Sequence, residues 1–186
     1  MSTRTVYFLA AAVGFLVSLI AVGLYYYRRS RQTSNGSWGQ LLGRLTFIDR
    51  DSVARIAMDY ADESGQRRTD DAASELEPAQ ISKLIGGLKG LEILERNSAV
   101  LIDIAFYVQQ WYPEAVVVAE DLRLTAREIE WHVERLRGAA KTGNLETSFA
   151  SYAQPAIAKY YLMTQRVLAL YEQGNLPMIL DLQRTI

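Results

Sequence analysis

His132 is the only histidine in this 186-residue chain, and its imidazole is the side chain best suited to bind a metal ion or move a proton near neutral pH. Glu128 lies four residues earlier, so both side chains would share one helix face and could hold a metal ion weakly. Di-iron bundles instead place a glutamate three residues before the histidine, where this chain has Ile129. The spacing therefore favours a helix–helix contact, with His132 bonded to a facing polar group. Glu128 and His132 remain weak metal candidates.

Two other stretches contain groups that bind ligands in some proteins. Asp49-Arg50-Asp51 brings two carboxylates together, but carboxylates at a helix start also cap its free N–H groups. Gly86-Gly87-Leu88-Lys89-Gly90 is rich in glycine, but a P-loop requires Gly-Lys-Ser/Thr after a strand. Leu91 follows Gly90 here, and no strand is predicted before it. We interpret the first stretch as a helix cap and the second as a flexible helix terminus.

Composition excludes several kinds of site. The chain has no cysteine, which rules out disulfides, thiolate metal sites and a cysteine nucleophile. A single histidine rules out sites built on several imidazoles of one chain. Residues 32–186 carry 16 Lys and Arg against 21 Asp and Glu, and nucleic-acid binding requires a basic face. The sequence predicts no catalytic residue, no cofactor and no nucleic-acid partner.

Helical periodicity dominates the chain beyond residue 37. Apolar residues alternate at spacings of three and four in three long segments, and such stripes face a common core in helical bundles. These segments run from Leu91 to Tyr112, from Ala115 to Leu136 and from Phe149 to Leu170. Residues 38–186 are therefore predicted to form an all-α soluble bundle of about four to six helices.

Capping residues, a charged stretch and a proline refine the predicted helix boundaries. Asp51-Ser52 can cap a helix that ends near Ala61. Residues 62–77 are charged and nearly without large apolar side chains, which is typical of an exposed loop. Pro155 interrupts the third long pattern, so residues 147–154 are predicted to form a separate short turn.

The longest apolar run is Val6–Tyr27, with 22 residues and no charged side chain. At about 1.5 Å per residue, a helix of this length can span a hydrocarbon core of roughly 30 Å. Tyr25, Tyr26 and Tyr27 would lie in the aromatic belt at the headgroups. A cleaved signal peptide is the alternative, but its apolar region is shorter and is followed by a cleavage site. We predict an N-terminal tail over 1–5, a transmembrane helix over 6–27 and a linker over 28–37.

Cations on the two sides of this run predict its orientation. Arg28, Arg29 and Arg31 follow it, whereas Arg4 alone precedes it. The positive-inside rule then places the C-terminal domain in the cytoplasm. The same arginines would favour anionic headgroups, so the lipid bilayer is the first predicted partner.

Two interpretations of Trp38–Ile48 remain open. Its apolar residues recur at helical spacing. The stretch could lie in the membrane interface, anchored by Trp38, or it could be the first core helix of the domain.

Two sets of residues are candidate contact surfaces. Ala10, Gly14 and Ser18 share one helix face, where small side chains would let another transmembrane helix or a second copy approach. Tyr160 and Tyr161 are adjacent and cannot both face a core, so one of them is a candidate docking residue.

These features predict a single-pass membrane protein with a cytoplasmic helical interaction domain. It would serve as an accessory subunit, adaptor or assembly factor of a membrane complex. The alternative is a membrane-bound enzyme or a small-ligand or metal sensor, with Glu128, His132 and Tyr160 as its candidate site. A third hypothesis is a homo-oligomer formed through Ala10, Gly14 and Ser18.

Overall fold

The computed structural model describes residues 12–23, 37–61 and 76–186, and the chain divides into two compact units, Met1–Asn35 and Gly36–Ile186. In the first unit, residues 12–23 are helical and their large apolar side chains are exposed. A Cβ added to Gly14 would meet nothing within 4 Å, and the Ser18 hydroxyl donates to the Gly14 carbonyl at 2.9 Å. Among the described residues, no helix combines the length and the apolar character needed to cross a membrane.

Several predicted features lie outside the described residues. They include the tail over 1–5, both ends of the apolar run, most of the linker and most of the charged loop. The candidate residues concerned are Ala10, Tyr25, Tyr26, Tyr27, Arg28, Arg29 and Arg31.

The second unit is all-helical over its described residues, which confirms the predicted fold class. Its α-helices are α1 (Trp38–Leu42), α2 (Arg50–Tyr60), α3 (Pro78–Ile85), α4 (Gly87–Tyr107), α5 (Ala115–Thr142), α6 (Leu145–Gln173) and α7 (Ile179–Thr185), with a 3₁₀ turn at Val108–Gln110. In these ranges there are seven α-helices where about four to six were expected. The difference comes from short helices at the two ends, which have too few turns to show a clear period.

The start and end residues of α3, α4 and α5 follow from proline and glycine chemistry. Pro78 occupies the first turn of α3, where its missing N–H costs nothing. Gly86 and Gly87 have φ values of 80° and 64°, a left-handed conformation that favours glycine, so the chain turns sharply into α4. Gly143 ends α5 in the same way with φ 77°. The glycine-rich stretch is therefore a corner between two helices.

Helices α4, α5 and α6 pack against one another around the core. The stripe predicted on α6 is buried throughout, from Phe149 to Leu170. On α5 the buried residues include Ala119 and Val133. Val118 and His132, which follow from Ala115 by the predicted spacing of three and four, are only partly buried. The inward face of α5 is thus rotated slightly from the predicted one.

The prediction of a separate turn before Pro155 was wrong. Helix α6 continues through Pro155, which is buried. A proline inside a helix removes a single backbone hydrogen bond and crowds the preceding turn. Ala153 and Ala156, on either side of it, are fully buried, so core packing holds both halves of the helix in line.

The structure decides between the two interpretations of Trp38–Ile48. Helix α1 ends at Leu42, and Leu41 is buried in the core. The Trp38 ring lies 5.6 Å from the Tyr107 ring and 5.5 Å from the Tyr171 ring. The apolar side chains that suggested a membrane-surface helix thus pack against the core of the domain.

Candidate functional site

His132 lies on the side of α5 that meets α6. Its ring centre is 4.9 Å from that of Trp131 and 6.1 Å from that of Tyr152, a residue of α6. The buried Nδ1 atom has no hydrogen-bond partner among the described residues. The predicted helix–helix contact is therefore present, but its neighbours are aromatic rings and the expected polar partner is not seen in the described ranges.

Burial lowers the pKa of His132 from its ordinary value, and the nearby Lys159 ammonium lowers it further. The Glu128 carboxylate acts in the opposite direction with a smaller effect. The net result is an imidazole that stays neutral at physiological pH.

Glu128 is engaged by a cation from the neighbouring helix. Its carboxylate forms an ion pair with Lys159 of α6. Within the described ranges, no group of three or more His, Cys, Asp or Glu side chains could hold a metal ion. Glu128 is thus ion-paired with a lysine, and His132 packs against aromatic rings. Tyr160 lines a cavity elsewhere in the domain.

Asp49, Arg50 and Asp51 lie at the start of α2, but the Asp49 side chain makes no capping hydrogen bond to a backbone N–H. The prediction that Asp51-Ser52 caps this helix was wrong, because α2 begins at Arg50 and both residues lie in its first turn. Asp49 is the N-cap residue, and its carboxylate accepts a hydrogen bond from the Ser52 hydroxyl. Asp51 lies in the first turn, where a carboxylate favours the positive end of the helix dipole. Arg50 donates to the Gln183 carbonyl and so ties α2 to α7.

Tyr160 and Tyr161 differ in exposure. Tyr160 is only 3% exposed, so it offers almost no surface to a partner protein, whereas Tyr161 is partly buried. Both line a cavity of about 260 Å³ between α2, α4, α6 and the end of the chain. Only Tyr161 therefore remains a candidate docking residue.

A buried amide organises the polar wall of this cavity. Asn97 accepts a hydrogen bond from the Thr46 backbone N–H at 3.0 Å and donates to the Thr46 carbonyl at 2.8 Å. It also donates to the Tyr160 hydroxyl at 3.4 Å. Burial raises the pKa of Tyr160, so the phenol keeps its proton. These bonds attach the segment after α1 to the core.

The side of α5 turned away from the core carries three large apolar side chains. Val117 is 73% exposed, Leu124 is 59% exposed and Trp131 is 50% exposed. They recur every seven residues and so lie along one line, opposite the buried Leu122 and Ile129. Single exposed apolar residues are ordinary, but three in register on one helix form a continuous feature. We call Val117, Leu124 and Trp131 the outer stripe.

Ion pairs border the outer stripe on the α6 side. Asp121 pairs with Arg166, and Glu128 pairs with Lys159. Both cations belong to α6, so these pairs run along the groove between the two helices.

On the α4 side of α5, Glu120 lies beside the outer stripe and pairs with Arg123. Further round the helix, a second charged network joins α5 to α4. Arg137 bonds to Glu92 at 3.3 Å and to Glu95 at 2.6 Å, both on α4. These bonds, with that to Glu95 contributing most, raise the pKa of Arg137. The Arg123 guanidinium stacks 4.4 Å above the Phe106 ring. The outer stripe is therefore an apolar line with polar margins, which is the arrangement found in protein–protein interfaces.

The outer stripe was not predicted from the sequence. The signal was present as the seven-residue spacing of Val117, Leu124 and Trp131. It was hidden because apolar residues on two opposite faces of one helix look like a single broad pattern.

Comparison with known proteins found no match to the chain among protein-family models, curated proteins or solved structures.

Proposed function

We propose that this protein is a single-pass membrane-anchored protein whose helical domain binds another protein chain through the outer stripe of α5. The observation that carries the proposal is the outer stripe itself, three large apolar side chains in register with charged margins on both sides. Such a line of exposed apolar surface on a packed helix marks an interaction face. Its role would be that of an accessory subunit, adaptor or assembly factor.

The anchor is supported by the apolar run Val6–Tyr27. Its described part, residues 12–23, is helical, and the large apolar side chains there are exposed. Lipid would cover such side chains. The arginines that follow the run favour a cytoplasmic position for the helical domain.

The test is the mass and composition of the full-length protein after gentle extraction from membranes. Leu124→Arg would place a charge at the centre of the outer stripe. Leu180→Arg is the matched control, because Leu180 is 62% exposed on the short helix α7. Light scattering gives the mass and mass spectrometry the composition.

The wild type and Leu180→Arg should elute as complexes heavier than one 20.9 kDa chain, with the same partner in stoichiometric amount. Leu124→Arg should lose that partner while keeping its helical content. A single chain in all three samples, or a partner retained by Leu124→Arg, would contradict the proposal.

A further inference from the structure

The cavity between α2, α4 and α6 has both polar and apolar walls and a volume of about 260 Å³. We propose that it binds a small organic carboxylate, whose apolar body lies inside the cavity and whose carboxylate contacts Tyr160 and Arg50. None of the described lining residues belongs to α5. The proposal is therefore independent of the outer stripe and goes beyond the proposed function.

The volume of the cavity sets the size of the ligand. A cavity of about 150 Å³ already holds a benzene ring, so this one has room for a ring with a short polar arm. Its volume lies close to the lower end of the range for small-molecule sites, about 300 Å³. Leu45, Ile48, Val53 and Leu168 supply apolar surface for the body of such a ligand.

Tyr160 supplies an unused hydrogen-bond donor in the wall of the cavity. Its side chain is only 3% exposed, and its hydroxyl oxygen accepts a hydrogen bond from the Asn97 amide at 3.4 Å. The hydroxyl proton has no acceptor among the described residues. A buried donor without an acceptor costs free energy, and an oxygen atom of a ligand would remove that cost.

The other buried polar side chains of this wall have already used their donors. Asn97 gives one amide proton to the Thr46 carbonyl and the other to Tyr160. The Thr164 hydroxyl donates to the Tyr161 carbonyl at 2.6 Å. What the described buried wall still offers is the proton of Tyr160, so the matching ligand group is an acceptor.

Arg50 favours an acceptor that is negatively charged. It lies on the exposed rim of the cavity, donates to the Gln183 carbonyl and forms no ion pair within the described ranges. Its position in the first turn of α2 adds the positive end of the helix dipole. Hydrogen bonds from a guanidinium to a carboxylate are roughly twice as strong as neutral ones.

The charge of Arg50 also acts on the Tyr160 hydroxyl. Burial raises the pKa of Tyr160, whereas the Asn97 hydrogen bond and the Arg50 charge act in the opposite direction with smaller effects. The phenol therefore keeps the proton that it would donate. Arg50 and Tyr160 both line the cavity, so one carboxylate can contact both groups.

Asp51 opposes the binding of an anion, because its carboxylate also lies on the exposed rim. Since this group is exposed, water screens its repulsion, and a cationic ligand would leave the Tyr160 proton without an acceptor. The neighbouring Arg50 and Asp51 should therefore affect binding in opposite directions.

The test uses 3-phenylpropanoate as the probe and methyl NMR of the purified full-length protein in detergent as the readout. The methyl signals of Ile48 and Val53 should shift until they saturate, whereas that of Ile81, a core residue outside the cavity wall, should not move. The neutral 3-phenylpropanamide has the same shape and should bind at least about tenfold more weakly. No saturable shift at Ile48 and Val53, or equal affinity for the two probes, would overturn the proposal.

Tyr160→Phe keeps the ring and removes the donor. Its affinity for 3-phenylpropanoate should be about tenfold or more below that of the wild type. Tyr152→Phe is the matched control, because Tyr152 lies on the same helix outside the cavity wall and should leave the affinity unchanged. Binding to Tyr160→Phe with the affinity of the wild type would contradict the assigned role of the phenol.

Two rim variants test the charge of the ligand. Arg50→Gln should weaken the binding of 3-phenylpropanoate, and Asp51→Asn should strengthen it. Arg55→Gln is the control, because Arg55 is exposed on the same helix but does not line the cavity. If the two rim variants had the reverse effects, or no effect, the carboxylate would be the wrong class of ligand. The unperturbed core signals in each NMR spectrum show that the variant is folded.

Discussion

At the residue scale, the two groups that attracted functional interpretations are explained by their neighbours. His132 packs between Trp131 and Tyr152, and Tyr160 is held by Asn97 inside the domain. The presence of a histidine on α5 was evident from the sequence. Its aromatic surroundings were not, because Tyr152 belongs to another helix and lies 20 positions further along the chain.

His132 should make stability depend on pH in a defined direction. Its pKa is lowered on folding, so between the folded and unfolded values the unfolded chain binds more protons. The free energy of unfolding should therefore fall as the pH drops below about 6.5, the ordinary histidine value. Urea titrations of residues 37–186 at pH 7.5 and 5.5 measure this difference.

His132→Gln is the control for this measurement. No other histidine is present, so the variant should lose most of the difference between the two pH values. A wild type that is more stable at pH 5.5, or a variant with an unchanged slope, would show that His132 is not buried as described.

At the element scale, long amphipathic helices were predictable and their junctions were not. The stripe on α6 was predicted correctly from Phe149 to Leu170, because a regular spacing of three and four has one interpretation over about six turns. The prediction failed at Pro155 because the low helix propensity of proline is outweighed there by core packing of the residues on both sides of it. The role of Gly90 could not be seen either, since it depends on how closely α3 approaches α4.

Gly90 and Gly138 should respond oppositely to the same substitution. A Cβ at Gly90 would lie 1.7 Å from the Ile85 carbonyl oxygen, so Gly90→Ala must displace backbone. We expect it to reduce the free energy of unfolding by about 2 kcal/mol or more. Gly138 lies within α5 with nothing within 4 Å of that position. Gly138→Ala should increase the free energy of unfolding by about 0.5–1 kcal/mol.

Urea denaturation of the two variants in residues 37–186 measures both effects, because the described core residues all fall between Leu41 and Leu182. Equal changes in the two variants would contradict the close approach at Gly90.

At the scale of the whole molecule, the fold class followed from helical periodicity, whereas the interaction face required knowing which side of α5 is covered. Leu122 and Leu124 are both leucines on one helix, yet the first is buried in the core and the second is 59% exposed. Their exposures differ only because α4 and α6 cover the face of α5 that carries Leu122. The role of the whole protein depends on what covers Leu124.

The most direct measurement is the reactivity of a single thiol at position 124 in native membranes. Full-length Leu124→Cys and Leu180→Cys would be treated with a maleimide reagent in opened membrane vesicles, before and after detergent denaturation. If a partner chain covers the outer stripe, the thiol at position 124 should react at least about tenfold more slowly than that at position 180 until denaturation equalises them. Equal rates in the native membrane would show that the outer stripe is bare and would contradict the proposed function.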